Sequence, residues 1–408
     1  MIPAKAVKPF VYPWNNDCAP AQIDRAQDIG GDLTLNQTKI YEIGREDAVG
    51  TQKGTPDFKY SMTQLEYGNI EFWRKLANKE VPGSGDAHSI TLEDLKTPVF
   101  DIAADLTDDN TAFLGSIVFP KLRVNGLNLN IGSPDANIER TFDLVGEDYH
   151  ICLDNHYAYA EDDVVGSGSI AKEITLNPVA VEYESGTYIY KVLRVRAGVV
   201  SELEYDAGAS ANTYAYNSGT AKVTIQTCLS GDKIKVYYFS ATATQTWVNN
   251  VVDPAALMAD TVVINIKVGV GVSAKVYRLQ SVAIATSFER ADYKEIGNSE
   301  VVQTGVKSKT VTITLGRLLE LFTIEQALAD NSVYPFLNPR DFVDTVQIQI
   351  LVYSDNTHTS FKLGYLYTGL SASTLGTKQA VQDYNNASNA VVGDNMTISD
   401  VLGEVSFI

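Results

Sequence analysis

Cysteine and histidine are scarce in this sequence, which holds three cysteines and four histidines among 408 residues. The cysteines Cys18, Cys152 and Cys228 lie far apart, and none belongs to a C-x-x-C pair. Because their number is odd and their spacing matches no metal site, they indicate free thiols in a protein made in a reducing cytoplasm. A disulfide framework and a zinc-binding cluster are therefore not expected.

Long apolar runs are missing as well. No stretch of about 18 apolar residues occurs, so we expect no membrane span. The N-terminal residues MIPAKAVKPFVYPWNNDC contain an early lysine but no apolar core segment of the signal-peptide type. We therefore expect no secretion signal, and a location outside a cell would follow from assembly into a larger particle.

Positive charge is in deficit, since 32 lysines and arginines face 50 aspartates and glutamates and give a net charge of -18. A surface of this sign repels phosphate backbones, which argues against nucleic-acid binding by a basic patch. Two interpretations of the acidity stay open: an acidic wall past which DNA slides without adhering, or ordinary solubility.

Motifs that carry catalysis are also lacking. The sequence holds no G-x-S-x-G elbow, P-loop, H-E-x-x-H or dinucleotide fingerprint. His150 and His156 lie six residues apart, near Asp148, Cys152 and Asp154, but no further ligand group follows at a typical spacing. We therefore expect no enzyme, no metal site and no cofactor.

A long internal repeat is the main positive feature of the sequence. The segment Arg25–Gly44 aligns without a gap with Arg278–Gly297, at an offset of 253 residues. Identical residues in this alignment are Arg25 with Arg278, Gln27 with Gln280, Glu42 with Glu295, Ile43 with Ile296, and Gly44 with Gly297.

The repeat continues further along the chain. Asp109-Asn110-Thr111 matches Asp355-Asn356-Thr357 at an offset of 246, and VGEDYHI from Val145 matches VGDNMTI from Val392 at 247. Gly126-Leu127 is aligned with Gly369-Leu370. The shared order predicts two copies of one fold. The candidate turn positions of the repeat are Gly44, Gly297, Gly146 and Gly393.

Each copy has the pattern strand, strand, helix, strand, strand. The helical stretches are LEYGNIEFWRKLANK from Leu65 and LLELFTIEQALAD from Leu318. In the second copy a hairpin follows, with strands at 345–353 and 361–370 and a turn at Ser354-Asp355-Asn356. The pattern predicts an all-β fold, a small sandwich or barrel with one helix per repeat.

A segment of different character separates the two copies. The phrases ITLNPVAVEY, TYIYKVLRVR, AKVTIQT and DKIKVYYFS are strand candidates divided by turn signals, which indicates an immunoglobulin-like sandwich. The predicted domains are 1–165 (first copy), 166–248 (inserted module) and 249–408 (second copy). The module is expected to project from the body, and the alternative is an extra sheet of the body itself.

The repeated phrases resemble a known family. RLQSVAIATSFERADYKEIGN, followed by TVTITLGRLLEL, and the paired phrases of the first copy look like the strand, "ELGN", strand passage of siphovirus major tail tube proteins. FPKLRVNGLNLNIGSPDANIERTFDLVGED from Phe119 is similar to their second hairpin. The resemblance covers both copies, and the chain departs from the common pattern in its duplication and its inserted module.

This resemblance implies a structural protein of a virus of bacteria or archaea. Tube proteins of this kind form rings of six tube domains, stacked into a hollow cylinder through which viral DNA is ejected. A duplicated chain would then form a homotrimeric ring with pseudo-sixfold symmetry. The implied partners are further copies of the chain, the tape measure protein, the tail terminator and baseplate proteins, and passing DNA that is not bound specifically. The implied location is the virion tail, non-contractile by analogy, after synthesis in the host cytoplasm and without membrane contact.

The strands Arg25–Tyr41 and Arg278–Tyr293 are the candidates for the inner wall of such a tube, and their bland alternative is an ordinary solvated strand face. The candidate lumen-facing acidic residues are Asp28, Asp32, Glu42, Glu46, Glu289, Asp292, Glu295 and Glu300. Acidic side chains on the lumen would keep DNA from adhering. Other functions left open are another virion ring component, such as a tail terminator, baseplate or capsid part, and a surface adhesin with immunoglobulin-like modules.

Overall fold

Strands dominate the computed structural model of this chain, and the predicted all-β fold class is confirmed. Helices are few and short in the part of the chain that is described. The structure describes residues 7–15, 19–34, 37–43, 46–53, 57–79, 89–108, 112–132, 135–146, 148–166, 170–208, 210–248, 256–268, 273–293, 303–318, 325, 328, 346–378, 386–393 and 395–399.

The first half of the chain is a two-layered β structure with two short helices. Its elements are β1 (Val7–Pro13), β2 (Ala21–Gln22), β3 (Ala26–Thr34), β4 (Gln37–Ile40), β5 (Gly50–Lys53), β6 (Asp57–Leu65), α1 (Ile70–Leu76), β7 (Ser89–Thr91), α2 (Leu92–Lys96), β8 (Phe100–Thr107), β9 (Phe113–Ile131), β10 (Glu139–Gly146) and β11 (His150–Leu153). One layer has the order β2-β1-β8-β9-β11, and the other has the order β3-β6-β10-β9. The 19-residue strand β9 belongs to both layers, because its first part pairs with β8 and its last part with β10.

The middle of the chain forms the inserted module, a sheet with the order β12-β18-β14-β15-β16-β17-β13. Its strands are β12 (His156–Asp163), β13 (Ile170–Thr175), β14 (Ile189–Arg196), β15 (Val199–Tyr205), β16 (Thr213–Asn217), β17 (Lys222–Cys228) and β18 (Lys233–Ser240). Residues from all seven strands enclose one core of their own. The structure places β12 in this sheet, N-terminal to the predicted boundary at residue 166.

The second half repeats the layers of the first. Its strands are β19 (Val262–Val268), β20 (Ala274–Lys275), β21 (Leu279–Tyr293), β22 (Gln303–Leu318), β23 (Val346–Tyr353), β24 (Phe361–Lys378), β25 (Asn386–Gly393) and β26 (Asn395–Ser399). Strand β24 is 18 residues long and, like β9, is shared by two layers, since it pairs with β23 and β26 and then with β25.

The repeat extends to the register of the strands. Every residue pair of β3 with β6, including the bulge after Ala26, recurs between β21 and β22 at the offset of 253 residues. Arg25 and Arg278, which precede these strands, share a φ of 58°. The pairs of β6 with β10 recur between β22 and β25 in the same way. The two halves are therefore copies of one arrangement of strands.

One aligned pair of residues needs correction. Gly126-Leu127 does not correspond to Gly369-Leu370, because the pairing of β9 and β24 with their neighbours fits an offset of 248 residues. Gly369 then corresponds to Lys121, and both have a positive φ, of 68° and 53°. The bend of each long strand thus needs a left-handed residue, which glycine adopts readily and lysine rarely.

The helices depart from the predicted pattern. The predicted stretch from Leu65 starts too early, because Leu65 ends β6 and Gly68 has a φ of 75°. Helix α1 begins only after Asn69, whose side chain accepts a hydrogen bond from the backbone N–H of Glu71. A second helix, α2, follows a capping box of Thr91 and Asp94, so the first half has two helices and not one.

The helix predicted from Leu318 is also later than expected, since Leu318 is the last residue of β22. Glu325 and Leu328, the described residues of this stretch, are helical. Leu328 belongs to the core, as its position on the apolar face predicts. Glu325 is buried and forms an ion pair with Arg317, which explains an acidic residue in that face.

Candidate assembly interface

The two halves meet through a continuous sheet. Strand β21 of the second half pairs antiparallel with the last part of β9, from Val282 opposite Ile131 to Ser287 opposite Gly126. This pairing joins the layer β3-β6-β10-β9 to its copy β21-β22-β25-β24. The result is one sheet of eight strands, four from each half, whose end strands are β3 and β24.

Side chains reinforce this junction. Arg290 of β21 donates hydrogen bonds to the backbone carbonyls of Val124 in β9 and of Lys96 at the end of α2, the latter at 3.0 Å. A cationic donor also suits the carbonyl end of a helix. Lys309 of β22 lies 3.4 Å from Glu93 of the same helix. Charged groups of the second half are thus fitted to one end of α2.

A second contact lies in the other layer. Strand β7 of the first half pairs antiparallel with β26 of the second half, with Ile90 opposite Ile398. Both isoleucine side chains have an exposed fraction of 0%. Complete burial of such side chains is worth about 1.5–3 kcal/mol each. The halves therefore bind each other through main-chain ladders in both layers and through apolar packing.

Buried polar groups lock the halves together between the layers. The Glu66 carboxylate accepts hydrogen bonds from Arg140 at 3.0 Å and from the Tyr365 hydroxyl of β24 at 2.5 Å. Burial lowers the pKa of Arg140, but Glu66 and Tyr365 outweigh it and raise that pKa above its ordinary value. Burial and the charge of Glu66 raise the pKa of Tyr365 well above its ordinary value. The cluster holds a charged pair that needs both halves to be satisfied.

The outer face of the eight-stranded sheet is polar. On β21, buried side chains such as Ile284 and Phe288 alternate with exposed residues of the other face. Those exposed residues are Ser281, Ala283, Ala285, Ser287 and Glu289. On β3 the equivalent positions of this face include Asp28 and Asp32, which are exposed.

Some predicted acidic residues share this face and others do not. Asp28, Asp32 and Glu289 lie on it, whereas Glu42 and Glu46 are exposed near the separate hairpin of β4 and β5. Asp292 belongs to β21, but its side chain lies outside the described part, as do Glu295 and Glu300 entirely. Their role on a lumen stays a prediction.

Further charged residues on the face were missed by the sequence reasoning. Glu139 and Asp143 lie on β10, where polar residues alternate with buried ones. The alternation in ERTFDLVG is a signal that could have identified them. Lys59 and Arg123 lie on the same face, so its described charges are mixed, with acidic residues in the majority.

The predicted turn glycines have different positions. Gly146 and Gly393 are the last residues of β10 and β25, at equivalent places in the two halves. A Cβ on Gly146 would lie 2.9 Å from a side-chain atom of Leu122 and 3.1 Å from the carbonyl of Pro120. Close packing in a strand thus requires glycine there. Gly44 and Gly297 lie outside the described residues.

The inserted module is anchored on the first half by a buried network. The Asp101 carboxylate of β8 accepts hydrogen bonds from Trp14 at 2.8 Å, from the Tyr157 hydroxyl at 2.6 Å and from the Lys191 ammonium at 2.9 Å. The backbone N–H of Lys121 donates a fourth, at 3.0 Å. Burial and the charge of Asp101 raise the pKa of Tyr157 well above its ordinary value.

An aromatic layer surrounds this network. Alternate residues of β18 face opposite ways: Val236 and Tyr238 enter the core of the module, whereas Tyr237 and Phe239 pack on the first half. The Tyr237 hydroxyl and the Lys235 ammonium both donate to the carbonyl of Pro13, at 3.2 and 3.0 Å. The module is therefore a separate sheet that is packed firmly on the body.

The histidines and cysteines are separated by the fold. His156 lies 2.8 Å from the Asp105 carboxylate and stacks on Phe113, whereas His150 contacts the edge of Tyr190. Cys152 is unpaired and half-buried, and Cys228 is unpaired and buried. Three or more metal-ligating side chains do not converge anywhere in the described ranges. Among the described residues, none of the helices has the length and apolar character that a membrane crossing requires.

Comparisons with known proteins give little. No family model matches the chain, and no curated protein matches it. Among the solved structures that match is a chain of the cryo-EM structure of the anti-feeding prophage (AFP) baseplate, 6-fold symmetrised. The two chains are 14% identical, the match covers 37% of this chain and 96% of that chain, and the TM-score is 0.27. At that TM-score the likeness carries no argument.

Proposed function

We propose that this chain is a structural, non-enzymatic subunit of a viral tail tube. Three copies would form a ring, and stacked rings would form the hollow cylinder through which viral DNA leaves the particle. The observation that carries the proposal is the eight-stranded sheet, which two copies of one fold build side by side with a common polar face. Such a sheet is a segment of a wall.

The chemistry of this face suits a passage for DNA. Its exposed residues are mainly small or hydroxyl-bearing, and acidic groups outnumber basic ones among the charges described above. Phosphate backbones bind to clustered lysines and arginines and are repelled by carboxylates. A lumen with this lining would let DNA pass without retaining it. The sequence resemblance to siphovirus tube proteins supports the same role and implies tape measure, terminator and baseplate proteins as neighbours.

The arrangement of the halves supports a ring. Within the chain they are joined head to tail, since one edge of the first half meets the opposite edge of the second. Head-to-tail contacts form rings when their rotation closes. A chain with two copies supplies two of the six domains of a pseudo-sixfold ring. The module would then occur three times around the outside.

Electron microscopy of the purified chain tests this function. Hollow cylinders with a regular axial repeat and three outward knobs per ring are expected in negative stain. Isolated rings that never stack would favour a terminator or baseplate role. Monomers at every concentration would refute a tube. Six knobs per ring would retain the tube and contradict the role of the duplication.

A further inference from the structure

The end strands of the eight-stranded sheet are unequal in environment to their counterparts inside it. Strand β21 pairs with β22 on one side and with β9 on the other. Its copy β3 pairs only with β6 among the described residues, so its second edge is open. Likewise β9 is paired on both sides in this layer, whereas the last part of its copy β24 pairs only with β25 in the described chain.

Two open edges of this kind are complementary. The edge of β3 is the copy of the β21 edge, and the edge of β24 is the copy of the β9 edge that β21 binds. Unpaired main-chain donors and acceptors on a strand edge invite another strand, and proteins keep such edges paired or protected. The partner that fits β3 is thus already present in the sequence, on another molecule of the chain.

An apolar patch on the other layer points to the same partner. Strand β11 is the copy of β26, and Ile151 is the copy of Ile398. Ile398 is fully buried beneath β7 of the opposite half, whereas Ile151 is 61% exposed. Leu153 and Leu114 nearby are 71% and 40% exposed. The first half thus leaves uncovered the position that the second half buries against its neighbour.

We propose that the first half binds the second half of a second copy of this chain, in the arrangement that joins the two halves within one chain. Strand β3 adds to the open edge of β24, and the β11 patch is covered in the same contact. The inference deepens the proposed function and rests on it in so far as a ring needs this contact to close. It does not require the ring to be part of a tail.

The intrachain junction fixes the register of the new one. Within the chain Ala283 lies opposite Asn130, Ala285 opposite Asn128, and Ser287 opposite Gly126. Transfer of these pairs by the offsets of 253 and 248 residues gives the expected intermolecular pairs. They are Gly30 with Lys378, Asp32 with Gly376, and Thr34 with Thr374.

Cross-linking tests this register. In a chain with its three cysteines replaced by alanine, Thr34→Cys and Thr374→Cys are introduced together, and a short bis-thiol reagent is added to the assembled protein. Opposite Cβ atoms in a ladder are about 4.5–5.5 Å apart, so intermolecular dimers and closed trimers are expected. The matched control is Gly30→Cys with Thr374→Cys, which is displaced by four residues, or about 13 Å. We expect at least about tenfold less product from the control.

A surface variant tests the patch independently. Ile151→Asp should weaken self-association at least about tenfold in sedimentation, because a carboxylate would replace an apolar contact. Val199→Asp, at a site 68% exposed on the module, should leave it unchanged. Unchanged thermal unfolding of the dilute Ile151→Asp monomer would show that the fold is retained.

The outcomes separate the two proposals. Equal cross-linking of both cysteine pairs, cross-links only within one chain, or unaltered association of Ile151→Asp would overturn the inference, even if cylinders form. Register-specific cross-links in closed rings that never become hollow cylinders would retain the inference and refute the tail tube.

Discussion

The buried pair of Asp101 and Lys191 should dominate the coupling between the module and the body. The exposed fractions of the two side chains are 0% and 2%, and Asp101 is bound by three donors besides Lys191. The change Asp101→Asn keeps the shape and a carbonyl acceptor but removes the charge. It leaves the Lys191 ammonium buried without a counterion, beside the ring of Trp14 at 4.3 Å.

The expected cost follows from this geometry. Removal of one partner of a buried pair costs about 3–5 kcal/mol, and the retained acceptor places Asp101→Asn near 3 kcal/mol. Lys191→Met should cost roughly 2–3 kcal/mol, because three donors still bind the remaining carboxylate. The double variant buries no charge at this place, so its cost should fall well below the sum, with a coupling of about 2 kcal/mol.

Urea unfolding of dilute, unassembled protein measures these free energies. The exposed pair of Lys222 and Glu173 in the module provides the control, with side chains 42% and 54% exposed. Glu173→Gln there should cost less than about 1 kcal/mol. Additive costs at Asp101 and Lys191, or a cost of Asp101→Asn no larger than that of the control, would refute the reasoning.

Three further outcomes are expected. First, stability should fall as the pH rises above the unfolded tyrosine pKa of about 10, by up to about 1.4 kcal/mol per pH unit for each buried tyrosine. The sign follows because burial raises the folded pKa of these residues, so their stabilisation is complete below pH 10 and is lost toward the folded value. The tyrosines concerned are Tyr12, Tyr157, Tyr237 and Tyr365. Lys191 has the opposite sign, since burial lowers its pKa, but it is a single group. Urea midpoints at pH 8 and 11 check this, and a rising midpoint would contradict it. Second, Gly115→Ala should cost about 2 kcal/mol or more in urea unfolding, because its Cβ would lie 2.5 Å from the carbonyl of Cys152, whereas Gly208→Ala should cost far less. Third, tubes whose face is neutralised by Asp28→Asn, Asp32→Asn and Glu289→Gln should retain DNA at about 50 mM salt and release it near 200 mM. Tubes with three acidic residues of the module neutralised should not retain it, and equal retention by both would contradict a lumen at this face.

Local patterns were sufficient for much of the fold. The offset between Arg25 and Arg278 is reproduced by the strand registers, since a repeated sequence folds into a repeated ladder. The turn around Asp355 is confirmed, because its carboxylate accepts hydrogen bonds from the backbone N–H groups of Thr359 and Ser360. Residues of this kind act on neighbours in the sequence, so the sequence alone reveals them.

Contacts between distant residues were beyond such patterns. The alternation in HYAYAEDD predicts a strand, but it does not say that β12 pairs with β18 and so belongs to the module. Asp101, Glu66 and Arg140 have no motif around them, and their importance comes from partners far along the chain. On the candidate face, alternation could identify Glu139 and Asp143, whereas β21 and β9 as neighbours follow only from the fold.

The shared strand β9 has a mechanical consequence. Its first part carries Val118 in the layer that packs on the module, and its last part forms the junction of the eight-stranded sheet. A pull on the module would therefore reach the wall along one continuous backbone and load its ladders in shear, many hydrogen bonds at once. An object bound outside and the conduit inside would behave as one stiff body, and strain at the periphery would be felt at the bore without any hinge between them.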